Sequence, residues 1–183
     1  DKFVAMFNLV DNGFIETKDV LYRSGIISNL TDGHGVEIDI ELPEDCTDIY
    51  LIVTDAGDGF NGDHADWINP VVYNQDNELK LTSITWQSAS AGWGNPALNK
   101  SVSGGTLTVN GQAYTEGVGT HANSMIHYNI PEGYTNFKAF AGLDYSGISQ
   151  NLGTTVEFMI FAHDPTLRSV NVSNAIANTG LIS

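Results

Sequence analysis

Residues 54–67 read Thr-Asp-Ala-Gly-Asp-Gly-Phe-Asn-Gly-Asp-His-Ala-Asp-Trp, so Asp55, Asp58, Asn61, Asp63, His64 and Asp66 crowd one glycine-rich stretch that ends on Trp67. Carboxylates at that density repel one another unless a cation or a hydrogen-bonding ligand offsets their charge. A second stretch, residues 117–123, reads Gly-Val-Gly-Thr-His-Ala-Asn, and its two glycines ahead of His121, with Asn123 after it, suggest a shaped loop. Polar forks beside an aromatic face suit a sugar. Its C–H face packs on the ring, and its hydroxyls need partners such as Asp, Asn, His or Gln.

Calcium is the other chemistry the acidic stretch could support, because it takes six to eight oxygens from carboxylates and turn carbonyls on a flexible scaffold. Asp55, Asp58 and Asp63 are the candidate ligands. Their spacing departs from the EF-hand loop, which excludes that motif. The competing reading is an Asx-rich turn held by its own hydrogen bonds without metal. Among the tryptophans, Trp86 lies in an apolar run and reads as core, and Trp93 stands between Gly92 and Gly94 in a loop, where exposure is expected. Trp67 fits either setting. His121 and His64 are each either structural or ligand-facing, whereas His34, His127 and His163 read as structural or surface groups. The candidate sugar-contacting residues are Trp93, Asn95, His121, Asn123, His64, Asp66 and Trp67.

Catalysis has little support in the motifs. Glycoside cleavage needs two carboxyls flanking the scissile bond, but in a chain with 22 acids the mere count decides nothing. No Gly-x-Ser-x-Gly elbow, His-Glu-x-x-His helix or phosphate loop occurs. The single cysteine, Cys46, precludes an intrachain disulfide and has no activating neighbour in sequence.

The 183 residues suffice for one domain with a real core, and the net charge of −15 argues against nucleic-acid partners. No apolar run approaches the roughly 18 residues of a membrane span. Thirteen of the acids lie between Arg23 and Lys80, where there is no Lys or Arg. A solvated acidic face is the plain reading. The triplets at Asn29, Asn99 and Asn171 match the glycosylation sequon but carry no weight alone.

Strands must position these residues. Residues 36–42 alternate strictly, with Val36, Ile38, Ile40 and Leu42 on one face and Glu37, Asp39 and Glu41 on the other, as in a half-buried strand. Residues 49–54 are continuously apolar and read as a central strand. Residues 3–9, 79–86, 137–143 and 156–162 read as further strands. Asn110-Gly111 within residues 107–114 is a strong hairpin signal. Helical periodicity is weak, with short turns expected near residues 95–98 and 169–177. The expected fold is all-β: a two-sheet antiparallel, jelly-roll-like sandwich.

The second half resembles the NPCBM domain, also called carbohydrate-binding module family 51, in Leu81-Thr-Ser-Ile-Thr-Trp86, Ala91-Gly-Trp-Gly94, Lys100-Ser101, Leu107-Thr-Val-Asn-Gly111, Gly117-Val-Gly-Thr-His-Ala-Asn123 and Val156-Glu-Phe-Met-Ile-Phe161. Leu21-Tyr-Arg-Ser-Gly25, Leu51-Ile-Val-Thr-Asp-Ala-Gly-Asp-Gly59 and Asp63-His-Ala-Asp-Trp67 resemble the C-terminal part of that family, yet here they come first. The order is read as a circular permutation. The tail of one module followed by the head of the next, or a module inserted in another domain, are the alternatives. Residues 1–18 read as a leading strand, faintly similar to a terminal β-domain strand of family 27 α-galactosidases. Residues 19–165 read as the permuted sandwich and 166–183 as a tail or the start of a next element. The abrupt ends read as those of a piece excised from a larger polypeptide. The resemblance implies a non-catalytic module of a larger secreted, periplasmic or cell-surface bacterial glycoside hydrolase. It would bind galactose-containing glycans, with calcium as an optional structural ion and the catalytic domain of the same polypeptide as partner. The alternative is a structural β-domain that packs on a neighbouring catalytic domain without binding sugar.

Overall fold

The structure is a computed structural model, and it describes residues 20–166. Along the chain the strands are β1 (Val20–Ser28), β2 (Gly35–Glu41), β3 (Asp48–Thr54), β4 (His64–Tyr73), β5 (Glu78–Lys80), β6 (Ser88–Ser90), β7 (Ala97–Leu98), β8 (Leu107–Val109), β9 (Gln112–Tyr114), β10 (Gly117–His121), β11 (Ser124–Asn129), β12 (Asn136–Leu143) and β13 (Thr155–Phe161). One short helix, α1 (Tyr145–Ile148), follows β12. Two sheets of order β1-β13-β3-β11-β6 and β2-β12-β4-β10-β7 form the body, with β5 pairing along the other stretch of β4. Every strand pairing is antiparallel, and the core of Leu51, Val53, Trp67, Phe137, Phe158 and Ile160 draws on both sheets. The all-β sandwich expected from the alternating and apolar runs is what forms.

Strands from both halves of the chain interleave. β3 lies between β13 and β11, and β4 lies between β12 and β10. The base-free acidic stretch that ends at Lys80 therefore coincides with no break in the body. β2 keeps the predicted alternation, with Ile38 buried and Glu37, Asp39 and Glu41 exposed. β3 takes the central position that its continuous apolar run implied. Asn110 and Gly111 turn the β8–β9 hairpin with positive φ of 47° and 78°, as that dipeptide predicts.

Three local expectations are corrected. Residues 79–86 form no long strand. β5 stops at Lys80 because β10 takes up the β4 edge beyond it, so residues 81–83 close as a 3-10 turn and the chain crosses to the other sheet. Residues 97–98 are a short strand on β10, not part of a helical turn. Residues 117–121 form β10, with every residue buried, instead of a loop. Its glycines permit close approach: a Cβ on Gly119 would lie 2.3 Å from the Lys100 carbonyl oxygen. The strand expected at 3–9 and the turn at 169–177 fall outside the described residues.

Val20 and Phe161 are Cα partners in the β1–β13 ladder, and the Arg23 guanidinium grips the Glu157 carboxylate of β13 at 2.9 and 2.8 Å. The described body thus starts and finishes on neighbouring strands. A chain carrying residues 77–163 first, joined by a short turn to residues 20–73, is expected to fold to the same sandwich. A disordered product in circular dichroism and amide NMR would count against the exchanged order of halves.

Candidate functional site

One end of the sandwich gathers the residues singled out by sequence. The ladder sets His121 opposite His64, Gly119 opposite Asp66 and Val118 opposite Trp67. Residues directly opposite in an antiparallel pair share a face, so His64, His121 and Asp66 point to the outer side of their sheet while Trp67 points into the core. The loop after β3 is stapled here: Asn123 Oδ1 accepts from the Asp55 amide at 2.9 Å, and the Ala122 amide donates to the Asp63 carbonyl at 3.0 Å. The loop between β6 and β7 arrives beside them, with the Gly92 amide donating to the His121 carbonyl at 3.2 Å. A Cβ on Gly92 would fall 2.2 Å from the Ala122 carbonyl oxygen, so only glycine lets that loop bring Trp93 this close.

Trp93 is 53% exposed and lies nearly parallel to the His64 ring, with centroids 5.5 Å apart and planes 18° apart. His121 meets both rings, at 5.1 Å from His64 and 5.9 Å from Trp93, and Phe60, itself half exposed, stands edge-on to His121 at 6.2 Å. Tyr145, at the start of α1, is also exposed. The outcome is an aromatic rim over two nearly buried imidazoles.

The tautomers of both histidines follow from their partners. His121 Nδ1 lies 2.6 Å from the Ala122 carbonyl, which can only accept, so Nδ1 carries the proton. Nε2 is then an acceptor, and among the described residues it makes no hydrogen bond. His64 Nδ1 lies 2.7 Å from Ser146 Oγ. Burial lowers the pKa of both imidazoles; the mutual His64–His121 repulsion lowers that of His64 further, while Asp144 opposes it. Both rings are therefore neutral at neutral pH.

The remaining candidates take different places. Trp67, expected among the sugar-contacting residues, is 0% exposed and packs edge-to-face on Phe158 at 5.0 Å, so it belongs to the core instead. Asp66 is likewise fully buried and cannot meet a ligand hydroxyl. Burial, the Asp144 charge and hydrogen bonding with Asp144 hold its carboxyl well above the usual range. Asn123 serves the acidic loop through Asp55, and Asn95 is exposed on the Trp93 loop. Trp86 is partly buried against the core, edge-on to Tyr128. Residues the sequence reading missed include Phe60, Tyr145, Asp144, Ser146 and Gln150. Asp144 caps α1 by accepting the Ser146 amide, but a lone Asp ahead of a single helical turn does not stand out from an ordinary turn in sequence.

In the acidic loop, Asp55 Oδ1 accepts from the Gly57 amide at 3.1 Å, Asp58 Oδ1 accepts from Thr155 Oγ1 at 2.8 Å, and Asp63 Oδ1 accepts from the Thr155 amide at 3.3 Å. Among the described residues no three His, Cys, Asp or Glu side chains converge as a metal cluster. Asp63 Oδ2, however, is buried without a partner. A calcium ion would fit there only if main-chain carbonyls and water completed the oxygen set.

Other surfaces suit a sugar less. A groove lined by Glu41, Glu44, Asp45 and Glu132 has no aromatic side chain. In a second groove, Tyr114 and Phe140 pack on Ile68, Leu107 and Val109 and close an apolar cluster.

A family model described as the NPCBM/NEW2 domain matches residues 7–73 and 77–179. The chain belongs to this family. It is a carbohydrate-binding, non-catalytic domain family. The NPCBM assignment made from residues 81–86, 91–94 and 117–123 is thereby met. Comparison with curated proteins gives no match, and comparison with solved structures gives none.

Burial pushes the Asp63 carboxyl up to about 8, with Asp58 and Asp55 adding to the rise and the Thr155 amide opposing it. An unfolded Asp ionises near pH 3.9. The folded state therefore holds the extra proton between about pH 4 and 8, and the stability this group contributes at low pH is lost as pH rises through that window. In chelator, Asp63→Asn is expected to match the parent near pH 4 and to exceed it at pH 8 by on the order of a few kcal/mol. Urea midpoints at the two pH values read the difference, and an equal gap at both would reject it.

Proposed function

We propose that this NPCBM domain binds neutral, galactose-containing glycans at the rim of Trp93, His121 and Phe60. The observation that carries the reading is Trp93, half exposed and stacked on His64, beside an imidazole whose Nε2 lone pair faces no protein donor. The indole and the Phe60 ring supply flat faces for sugar C–H groups. His121 Nε2 accepts a hydrogen bond from a ligand hydroxyl and rejects a group that can only accept. Galactose, as the specific sugar, rests on the family resemblance. So does the larger secreted glycoside hydrolase in which the domain would sit. A rim with so few polar contacts binds modestly, and tethering to a catalytic domain would raise its effective affinity.

The reading is tested on a glycan array with Trp93→Ala and His121→Ala. Trp93→Ala is expected to weaken binding by at least tenfold, and His121→Ala by about five- to tenfold, the cost of an unmade hydrogen bond. Melting temperature should fall little for Trp93→Ala, whose side chain is half exposed. No signal for any sugar, together with tight association to a catalytic domain, would favour the structural alternative, in which the same exposed aromatics face protein.

We also propose that the acidic loop holds calcium through Asp63, with Asp55 and Asp58 adding charge. The unpartnered, buried Asp63 Oδ2 supports this. Calcium at pH 8 is expected to raise the melting temperature of the parent by several degrees and to leave Asp63→Asn unmoved, by the linkage of ion binding to folding. A melting temperature indifferent to both calcium and chelator would remove the ion from the account.

A further inference from the structure

Beneath the aromatic rim, the polar groups around His64 form a chain whose direction is fixed at both ends. Gln150 Nε2 donates to the Ser146 carbonyl at 2.9 Å, and a carbonyl can only accept, so this amide atom is the nitrogen and not the oxygen. The same nitrogen lies 3.3 Å from His64 Nε2. Two donors cannot face each other, so His64 Nε2 must accept. The proton then sits on Nδ1 and is donated to Ser146 Oγ at 2.7 Å. The Ser146 hydroxyl passes its own proton toward Asp144 Oδ1, with which it makes a short hydrogen bond. Asp144 terminates the chain as an acceptor: Oδ1 also takes the Ser146 amide at 2.9 Å, and Oδ2 takes the Thr108 amide at 3.0 Å. Every link satisfies the donor and acceptor inventory of its groups.

We propose that Asp144 and Ser146 are positioning residues of the glycan site, which with Gln150 hold His64 as its Nδ1–H tautomer, its ring held flat against Trp93. This rests on the rim being the binding site. Both imidazole nitrogens of His64 are engaged by protein, so His64 offers a ligand no hydrogen bond. Its part is to support the indole face from behind, and the polar contact falls to His121 alone. Asp144 uses its oxygens as acceptors, and Asp66, which lies against it, stands between Gly119 and Gly142 in the sheet.

The experiment is nitrogen-15 NMR of the His64 ring in the full chain, run beside binding to galactose-terminated glycans. The parent is expected to show a protonated Nδ1 and an unprotonated Nε2. Ser146→Ala is expected to mix the tautomers and weaken glycan binding about five- to tenfold, and Ser146→Thr, which keeps the hydroxyl, should restore both. Asp144→Asn should disturb both. Amide spectra identify any variant that does not fold, and the Ser146 pair then carries the test. An Nε2–H parent, or a Ser146→Ala variant with the parental tautomer, overturns the proposal. If the tautomers behave as expected but no glycan binds the parent, the glycan reading of the rim fails and the proton assignment stands.

Discussion

The register between β4 and β10 is the constraint on which the rest of this domain rests. With His64 opposite His121, the outer face of the sheet receives both imidazoles and Asp66, and the inner face receives Trp67 and Val118. Side chains alternate along a strand, so a slip of one residue would exchange the two sets. Trp67 would lose its seat against Phe158, and His64 would be driven into an apolar core with its ring nitrogens unsatisfied. Burial of a large indole and satisfaction of a polar ring thus favour the same pairing. That agreement is why two segments more than fifty residues apart meet at one rim.

Loops on this rigid frame then supply the exposed groups. The ends of β3, β10 and β12 and the starts of β4, β11 and β13 lie together, so the connections after β3, β6 and β12 converge. Backbone hydrogen bonds hold them: Asp55 to the Asn123 side chain, Gly92 to His121, Asp144 to His64. The binding groups sit on loops, yet the loops are held by strand ends, which gives adaptable chemistry on a fixed base.

The acidic stretch divides by environment rather than by sequence. Asp55 and Asp58 stay near solvent and brace turns through the Gly57 amide and the Thr155 hydroxyl. Asp63 and Asp66 are buried and are pushed toward their neutral forms. Asp144, from a distant part of the chain, is buried with the Ser146 and Thr108 amides donating to its two oxygens. An ionised carboxylate is tolerated in an interior only where hydrogen bonds replace its water, and the number of such donors differs among these three residues.

Residue type and spacing determined several features outright. Strict alternation at residues 36–42 specified a strand with one wet face, the apolar run at 49–54 a central strand, and Asn110-Gly111 a hairpin, because each depends on nearest neighbours along the chain. The motifs around Trp86, Trp93 and His121 were enough to reach the family. Other features were not legible. Glycines at 117 and 119 looked like loop residues but serve close packing of a strand, and nothing local tells those uses apart. Trp67 and Trp93 each adjoin glycine-rich polar sequence, yet one is core and the other half exposed. Exposure is set by what the rest of the chain lays over a side chain, and a proton's position on His64 by a serine and a carboxylate some eighty residues away. Only the assembled sheets bring those partners within reach, so only the tertiary structure could decide them.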